Sequence, residues 1–396
     1  MTRSKWVSVV TLLVLSSTVT RADAQRARLL VSLAELEARV GQDSLDPVIH
    51  YDLALGYWVA ERFDEAERSL RRAVTIEPKF APGYLGLAFL PYARRPKLWG
   101  EEMKNKVPPE WAERVHESDR AFRRAYMLDP MVDLKIYGLV FPPREKIVIG
   151  RNATETYAAL VRGFESFWDG QYGTSYGWLH QALQKLDRGK QNDVPEALLW
   201  YHGLAAAHTY QYDVAIADFQ RLLKRATAKE QTDTLVRSFS LASNQIRYVL
   251  ATVSRKAGRG DEAVALYQES LANDLGLFMG HVQMAEIYED RRDWPAAIIE
   301  RRRAVESNPE NSSLQYDLGH TLARALQFSE AAEVLNAAME ANPHNARIPY
   351  TLGLVRLRLG DKAGARDAFQ RFVAMAPSRF GKQVTEARQR IGELEQ

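Results

Sequence analysis

Prolines return at a fixed interval in the last quarter of the sequence. Pro309, Pro343 and Pro377 lie 34 residues apart, and the first two close similar segments, RRAVESNP and NAAMEANP. Two related segments, RRAVTIEP and RRAYMLDP, close at Pro78 and Pro130. Because proline has no backbone N–H and cannot continue a helix, this spacing predicts a helix that ends once in every repeated unit.

Small and apolar residues keep the same interval as the prolines. The twentieth position of the unit carries a small residue, as in Ala66, Ala297, Ala331 and Ala365. The seventh and eighth positions carry an apolar residue and then a small one, as in Leu318-Gly319 and Leu352-Gly353. Over residues 194–226, apolar residues recur every three or four positions, which is the period of a helix. The sequence therefore predicts helix pairs that cross closely at small side chains.

This pattern resembles the tetratricopeptide repeat, a unit of 34 residues that forms two antiparallel helices, A and B. The resemblance implies an all-α fold, an α-solenoid in which the helix pairs stack into a right-handed superhelix. Repeats 3 to 5 lack the closing proline, so the sequence leaves their exact register open. Eight repeats are predicted to begin at Pro47, Ala81, Thr156, Glu196, Asn244, Phe278, Ser312 and Ala346.

Two further helices are expected at the ends of this array. A solenoid leaves an apolar face in water unless a polar-faced helix covers it. Residues 25–46 are predicted to hold an N-terminal capping helix, and residues 378–396 a C-terminal one. Repeats 1 and 2 then occupy residues 47–130, and repeats 3 to 8 occupy residues 156–377.

Two inserts interrupt the period. One lies at residues 91–109, between the helices of repeat 2, and the other at residues 131–155, between repeats 2 and 3. In the second insert, apolar and polar residues alternate before Pro142-Pro143, which favours a short β-hairpin over a helix. Long additions to a compact array are often binding elements. A spacer that plugs the inner surface is the alternative, and the sequence does not choose between them.

The first 24 residues have the pattern of a secretory signal peptide. Arg3 and Lys5 supply positive charge, residues 6–15 are mostly apolar, and Ala22-Asp23-Ala24 is an A-x-A cleavage pattern. The apolar part is much shorter than the ~20 residues that span a bilayer. We therefore expect cleavage after Ala24, a periplasmic or secreted location, and no stable membrane insertion of the mature chain.

Signals for chemistry are sparse. The chain has no Cys, which excludes disulfides, thiolate nucleophiles and Cys-ligated metals. A net charge of +3 without clustered Lys and Arg argues against nucleic acid as a partner. Metal-binding and phosphate-binding motifs are lacking, so neither a metal nor a cofactor is expected. Gly173–Gly177 matches G-x-S-x-G, but Ser175 falls on the twentieth repeat position, so no catalytic role is expected for it.

The inner surface is the remaining candidate for function. In the family that the sequence resembles, helix A lines the concave face, and repeat positions 2, 5, 9 and 12 point into it. These positions are apolar and aromatic in the first half of the array and polar in the second half. The Lys/Asn clamp with which some members hold a terminal carboxylate is not recognisable. Nine residues are predicted to form the partner-binding groove: Tyr51, Trp58, Phe89, Trp200, Tyr201, His208, Tyr248, Tyr316 and Tyr350.

Three functions are compatible with these features. We expect a non-enzymatic scaffold or adaptor that binds a protein or peptide in its concave aromatic groove, since Tyr and Trp offer large contact areas at a low ordering cost. The alternative is a structural subunit of an envelope or secretion complex, assembled through the outer faces and inserts. The third function is that of an enzyme, which would use carboxylates that the sequence does not single out. For the first, the competing interpretation is that the rings only pack on neighbouring helices.

Overall fold

A computed structural model describes residues 32–93, 109–132, 154–187, 194–232, 243–274 and 277–395 of the chain. Within these ranges every element is helical. The all-α prediction is therefore confirmed for the described residues. The predicted signal peptide, most of the insert at 91–109 and the hairpin predicted in 131–155 lie outside them.

Eighteen α-helices and one short 3-10 helix, Ser378–Phe380, make up this part of the chain. In chain order the α-helices are α1 Leu33–Gln42, α2 Pro47–Val59, α3 Phe63–Ile76, α4 Ala81–Ala93, α5 Pro109–Leu128, α6 Glu155–Trp168, α7 Tyr172–Asp187, α8 Glu196–His208, α9 Tyr212–Thr232, α10 Ser243–Lys256, α11 Gly260–Asn273, α12 Met279–Asp290, α13 Trp294–Ser307, α14 Ser312–Arg324, α15 Phe328–Ala341, α16 Arg347–Arg358, α17 Lys362–Met375 and α18 Gly381–Leu394. From α2 to α17 these helices form eight consecutive A–B pairs, and α1 and α18 flank them.

The eight A helices begin where the repeat spacing places them, to within one residue. Side-chain caps explain several of these starts. The Asp46 carboxylate accepts a hydrogen bond from the Val48 N–H at 2.9 Å at the start of α2. The Asn311 side chain accepts one from the Ser313 N–H at 3.1 Å at the start of α14. Such caps satisfy backbone donors that have no partner within the helix.

One backbone conformation marks the turn between helix A and helix B. In seven repeats the fifteenth residue has a left-handed φ between 58° and 79°, and only three of the seven are glycines. The next residue then donates its N–H to the carbonyl five positions back, as Gln327 does to Leu322 at 2.9 Å. This is the hydrogen bond of a Schellman motif, which ends a helix and reverses the chain. The seven residues are Glu61, Gly170, Tyr210, Gly258, Arg292, Leu326 and Gly360. Because the series includes repeats 3 to 5, it fixes the register that the sequence left open.

Close packing between the two helices of a repeat depends on small residues. A Cβ atom added to Gly353 would lie 2.7 Å from the Phe369 ring, and one added to Gly319 would lie 2.7 Å from Leu335 Cγ. The alanines of the twentieth position are fully buried. Ser175 takes the same position in repeat 3, is fully buried, and donates from Oγ to the Gly163 carbonyl at 2.8 Å. Ser175 therefore lies inside the helix pair of repeat 3, as its twentieth repeat position predicts.

The end of the array contacts its beginning. Ser378 donates from its N–H and its Oγ to the Asp43 carboxylate at 2.8 and 2.6 Å. Arg379 Nη1 lies 3.0 Å from Asp46 Oδ1. These bonds join the C-terminal cap to the loop that follows α1.

A second set of contacts joins the loop after α3 to repeats 7 and 8. Glu77 pairs with Arg347 and accepts a hydrogen bond from Ser313 Oγ at 3.2 Å. Lys79 pairs with Asp317. We refer to these two sets, Asp43 and Asp46 with Ser378 and Arg379, and Glu77 and Lys79 with Arg347, Ser313 and Asp317, as the closing contacts.

Candidate functional site

An open cleft of about 730 Å³ lies between α14, α16 and α18. It is therefore formed by the A helices of repeats 7 and 8 and by the C-terminal capping helix. A volume of this size suits a small molecule or a short stretch of peptide. Its walls carry mainly aromatic and cationic side chains, among them Tyr316, Phe328, Tyr350, Phe372, Phe380, Arg324, Arg347, Arg358 and Arg390.

One wall of the cleft is fixed by hydrogen bonds to Glu386. Its carboxylate accepts a bond from the Tyr350 hydroxyl at 2.7 Å and two from the Arg390 guanidinium at 2.8 and 3.1 Å. Burial and the adjacent Glu386 carboxylate raise the pKa of Tyr350 to about 12, while the bonds from Tyr350 and Arg390 lower the pKa of Glu386. At neutral pH the phenol is therefore neutral and the carboxylate charged, and the Tyr350 ring is held in one orientation.

The opposite wall centres on Tyr316. Its ring stacks with that of His320 at a centroid distance of 6.0 Å, and the Arg347 guanidinium lies 5.3 Å from its centroid on the ring face. Burial lowers the pKa of His320, so the imidazole is neutral at pH 7. The cationic character of the cleft thus comes from arginines and not from histidine.

A buried ion network lies next to the cleft. Arg301 occupies the twenty-fourth position of repeat 6, where most other repeats carry a large apolar residue, and pairs with Glu289 at 2.8 Å and Asp317 at 3.4 Å. All three residues are less than 10% exposed. Burial alone would lower the pKa of Arg301, but Asp317 and Glu289 raise it. Lys79 from repeat 1 supplies the second cation for the two carboxylates, so this network is balanced and structural.

Most rings of repeats 3 and 4 pack against one another. Tyr201 meets Phe164 and Phe167 edge-on at centroid distances of 5.2 and 5.0 Å. Tyr172 and His208 stack face to face at 3.8 Å. The residues that were predicted to face a partner here therefore make an internal aromatic cluster.

The nine predicted groove residues fall into three groups. Tyr316 and Tyr350 line the cleft. Tyr51, Phe89, Trp200, Tyr201 and His208 are half-buried, and each meets another ring, as Tyr51 does Phe80 and Trp200 does Phe219. Trp58 and Tyr248 are buried, at 3% and 0% exposure, so the expectation that they line an accessible surface is wrong.

Tyr248 is buried because repeat 2 covers it. Its hydroxyl donates to the Met127 carbonyl at 2.6 Å, and its ring lies 6.4 Å from that of Tyr126. Met127 shares one hydrophobic cluster with Tyr248 and Tyr267. This part of the A-helix face is occupied by the chain's own second repeat, which a repeat pattern alone does not reveal.

The arginines of the cleft are the residues that the sequence analysis missed. Arg324 and Arg358 are the last residues of α14 and α16 and lie 34 positions apart, at position 13 of repeats 7 and 8. That position was not among the four considered to face the groove. An arginine repeated at one position of consecutive units is the signal that would have identified them.

A chain of polar rings lies away from the cleft, between repeats 3 and 4. His202 Nδ1 lies 2.5 Å from Asp218 Oδ2, and His202 Nε2 lies 3.1 Å from His180 Nδ1. Burial and the neighbouring His202 lower the pKa of His180. Residues 32–93, 109–132, 154–187, 194–232, 243–274 and 277–395 hold no cluster of three or more side chains suited to a metal ion. Nor do these ranges include a helix that is long and apolar enough to cross a membrane.

Eight helix pairs, seven of which share the turn described above, define an α-solenoid of helix–turn–helix repeats. The sequence model of the tetratricopeptide repeat matches residues 202–275, 282–346 and 316–380. The chain belongs to the tetratricopeptide repeat superfamily, whose repeats form protein–protein interaction scaffolds. No curated protein matches it in sequence.

Solved structures of similar fold share little sequence with the chain. MamA of strain AMB-1 is 17% identical, with 45% of this chain and 89% of that one covered and a TM-score of 0.35. MamA of Desulfovibrio magneticus RS-1 is 16% identical over 46% and 94%, with a TM-score of 0.37. The C-terminal part of a TPR repeat-containing protein from Cytophaga hutchinsonii is 13% identical over 60% and 87%, with a TM-score of 0.48.

Proposed function

We propose that the protein is an exported scaffold that binds a partner protein or peptide in the cleft between α14, α16 and α18, without catalysing a reaction on it. The cleft itself is the observation that supports this role most directly. It is open, it is walled by residues of three consecutive structural units, and two of its rings, Tyr316 and Tyr350, stand at the same repeat position. A ligand in an extended conformation would contact successive repeats in the same way.

The orientation of these rings supports binding at a low entropic cost. Tyr350 is held by Glu386, and Tyr316 packs against His320, so neither ring loses much freedom when a ligand covers it. Burial of their exposed apolar area contributes roughly 25 cal/mol per Å², offset by the ordering of the ligand. Rigid aromatic side chains of this kind are typical of interface hot spots.

A bulky substitution in the cleft tests the location of the site. Ala323 and Gln383 line opposite sides, so Ala323→Trp and Gln383→Trp should each reduce partner binding by at least tenfold. Glu333→Trp on the exposed side of α15 is the matched control and should bind as the wild type does. Equal affinities for all three variants, measured by calorimetry with the partner captured from the native cell envelope, would reject the cleft as the site.

The proposed export is supported by the signal-like pattern of residues 1–24. Fusion of these residues to a phosphatase that is active only after export should give an active reporter. Replacing residues 10–13 (VTLL) with alternating Asp and Asn should abolish its activity, because the apolar core is lost. N-terminal sequencing of the mature protein should begin at Gln25, and a first residue of Met1 or Thr2 would contradict cleavage.

A further inference from the structure

The cleft is lined by more positively charged than negatively charged side chains. Four arginines line it, Arg324, Arg347, Arg358 and Arg390, against one carboxylate, Glu386. The whole chain, by contrast, carries a net charge of only +3. Positive charge is therefore concentrated at the site that we propose for partner binding.

Two of the four arginines are already paired within the molecule. Arg390 forms an ion pair with Glu386 at 2.8 Å, and Arg347 pairs with Glu77 in the closing contacts. These two guanidinium groups hold the walls of the cleft in place. Their charge is balanced before any ligand arrives.

The charges of the other two arginines are not fully balanced within the described part of the molecule. Arg324 Nη1 is 3.6 Å from Glu289 Oε2, but Glu289 is already bound by Arg301 at 2.8 Å and by Thr321 at 2.6 Å. Arg358 is exposed and forms no ion pair or hydrogen bond with any residue in the described part of the chain. Since both stand at position 13 of their repeats, the cleft presents two guanidinium groups with the periodicity of the array.

Apolar surface lies between these charges. Leu354 and the rings of Tyr316 and Tyr350 line the cleft together with Arg324 and Arg358. A guanidinium group binds a carboxylate through two parallel hydrogen bonds, and the rings and Leu354 suit an apolar side chain. The Glu386 carboxylate and the apolar floor disfavour a uniformly charged polyanion. An extended peptide that carries both kinds of side chain fits all of these features.

We propose that the cleft binds an extended peptide segment in which acidic side chains flank an apolar one, with Arg324 and Arg358 as its carboxylate-binding residues. This inference rests on the proposed function, because it names the ligand class of the same cleft. It also assigns the two ion pairs, Arg390 with Glu386 and Arg347 with Glu77, to positioning and not to ligand contact.

A displayed library of random decapeptides, selected on the full chain, tests the ligand class. Wild-type protein should enrich peptides with two or more Asp or Glu residues around a Leu, Phe or Tyr. Selection on the double variant Arg324→Gln, Arg358→Gln should lose that enrichment. Selection on Ala323→Trp, whose cleft is blocked, supplies the background.

Affinities of one enriched peptide, synthesised with a fluorescent label, give the size of the effect. Arg358→Gln should weaken binding about tenfold at low salt, as expected for the loss of one charge-assisted hydrogen-bonded pair. Arg388→Gln is the matched control, because Arg388 is exposed on α18 and does not line the cleft. The wild-type affinity should fall as salt is raised, and that of the double variant should change less.

The possible failures are distinguishable. Enriched peptides that are neutral or basic, or acidic peptides that bind the double variant equally well, would overturn the ligand class; if Ala323→Trp still abolishes their binding, the proposed function stands. Enrichment no greater on the wild type than on Ala323→Trp would overturn both. Melting curves that match the wild type confirm that the glutamine variants are folded.

Discussion

Repeats 3 and 4 and repeats 7 and 8 both present aromatic side chains from their A helices, but only those of repeats 7 and 8 line the cleft. In repeats 3 and 4 the rings of Phe164, Phe167 and Tyr201 cover one another. In repeats 7 and 8, Tyr316 and Tyr350 are spaced by a full repeat and line a cleft. The number of rings on a face therefore does not determine whether that face forms a cleft.

The arginines of the C-terminal half also differ in burial. The largest effect on stability is expected for the substitution of a buried arginine. Arg301→Ala would leave the buried Glu289 and Asp317 with only Lys79 and the more distant Arg324 to balance them, so the free energy of unfolding should fall by about 3–5 kcal/mol. Arg302→Ala, on the exposed side of the same helix, should cost less than about 1 kcal/mol. Urea denaturation of both variants measures the difference, and similar losses for the two would contradict a structural role for the network.

Tyr201→Ala tests whether the ring cluster of repeats 3 and 4 is structural. The loss of packing should lower the free energy of unfolding by about 3 kcal/mol, while peptide affinity, measured below the unfolding transition, should not change. Tyr210→Ala is the control, since Tyr210 is 80% exposed and should shift stability by less than about 0.5 kcal/mol. A loss of peptide binding in Tyr201→Ala without a loss of stability would place the binding surface in repeats 3 and 4 instead.

Lys79→Glu tests the connection between the two ends of the array. It places a carboxylate beside Asp317 and should lower the free energy of unfolding by roughly 1–2 kcal/mol. The radius of gyration from small-angle X-ray scattering should increase as repeat 1 separates from repeat 7. Lys224→Glu, at an exposed position of α9, should leave both quantities unchanged. An unaltered scattering profile for Lys79→Glu would mean that this ion pair does not hold the ends together.

Stability should also decrease as the pH falls from 7.5 to 5.5. Burial lowers the pKa of His50, His180 and His320 in the folded protein. The unfolded chain, with a histidine pKa near 6.5, therefore takes up protons first as the pH falls, so acid favours unfolding. The stability gained at neutral pH is fully present above pH 6.5 and is lost as the pH falls below it toward the folded pKa values.

Melting temperatures across this pH range measure how steeply stability depends on pH. His180→Gln in repeat 3 and His320→Gln in the cleft should each make the pH dependence of the melting temperature shallower. His116→Gln, at an exposed position of α5, should not. A slope that both buried-histidine variants leave unchanged would assign the pH dependence to other groups.

The smallest effect is expected at the turn position that all the described A–B turns share. Leu326 is 73% exposed and holds a left-handed φ of 63°, which glycine adopts without strain. Leu326→Gly should raise the free energy of unfolding by about 0.5–1 kcal/mol, and Gly360→Leu in repeat 8 should lower it by a similar amount. Changes of the same sign in both variants, measured by urea denaturation, would show that the strain at this position is not what sets stability.

The periodic part of the molecule could be predicted from the sequence, and the rest could not. Proline spacing and small residues located all eight A helices, because each repeat is formed by local contacts that recur every 34 residues. Of the proposed site, the same spacing identified Tyr316 and Tyr350. It missed Arg324 and Arg358, which stand outside repeat positions 2, 5, 9 and 12, and it wrongly placed Tyr248 on an open surface. Tyr248 is covered by Met127, which lies 121 residues away and belongs to no periodic pattern.

The closing contacts change how such an array can come apart. Units of a linear solenoid touch only their neighbours, so the outermost ones fray first and melting proceeds inward. Here Asp43 and Asp46 hold Ser378 and Arg379, so the outermost units are neighbours of each other. Loss of either end then exposes two interfaces instead of one, and melting of the terminal units becomes a single cooperative event.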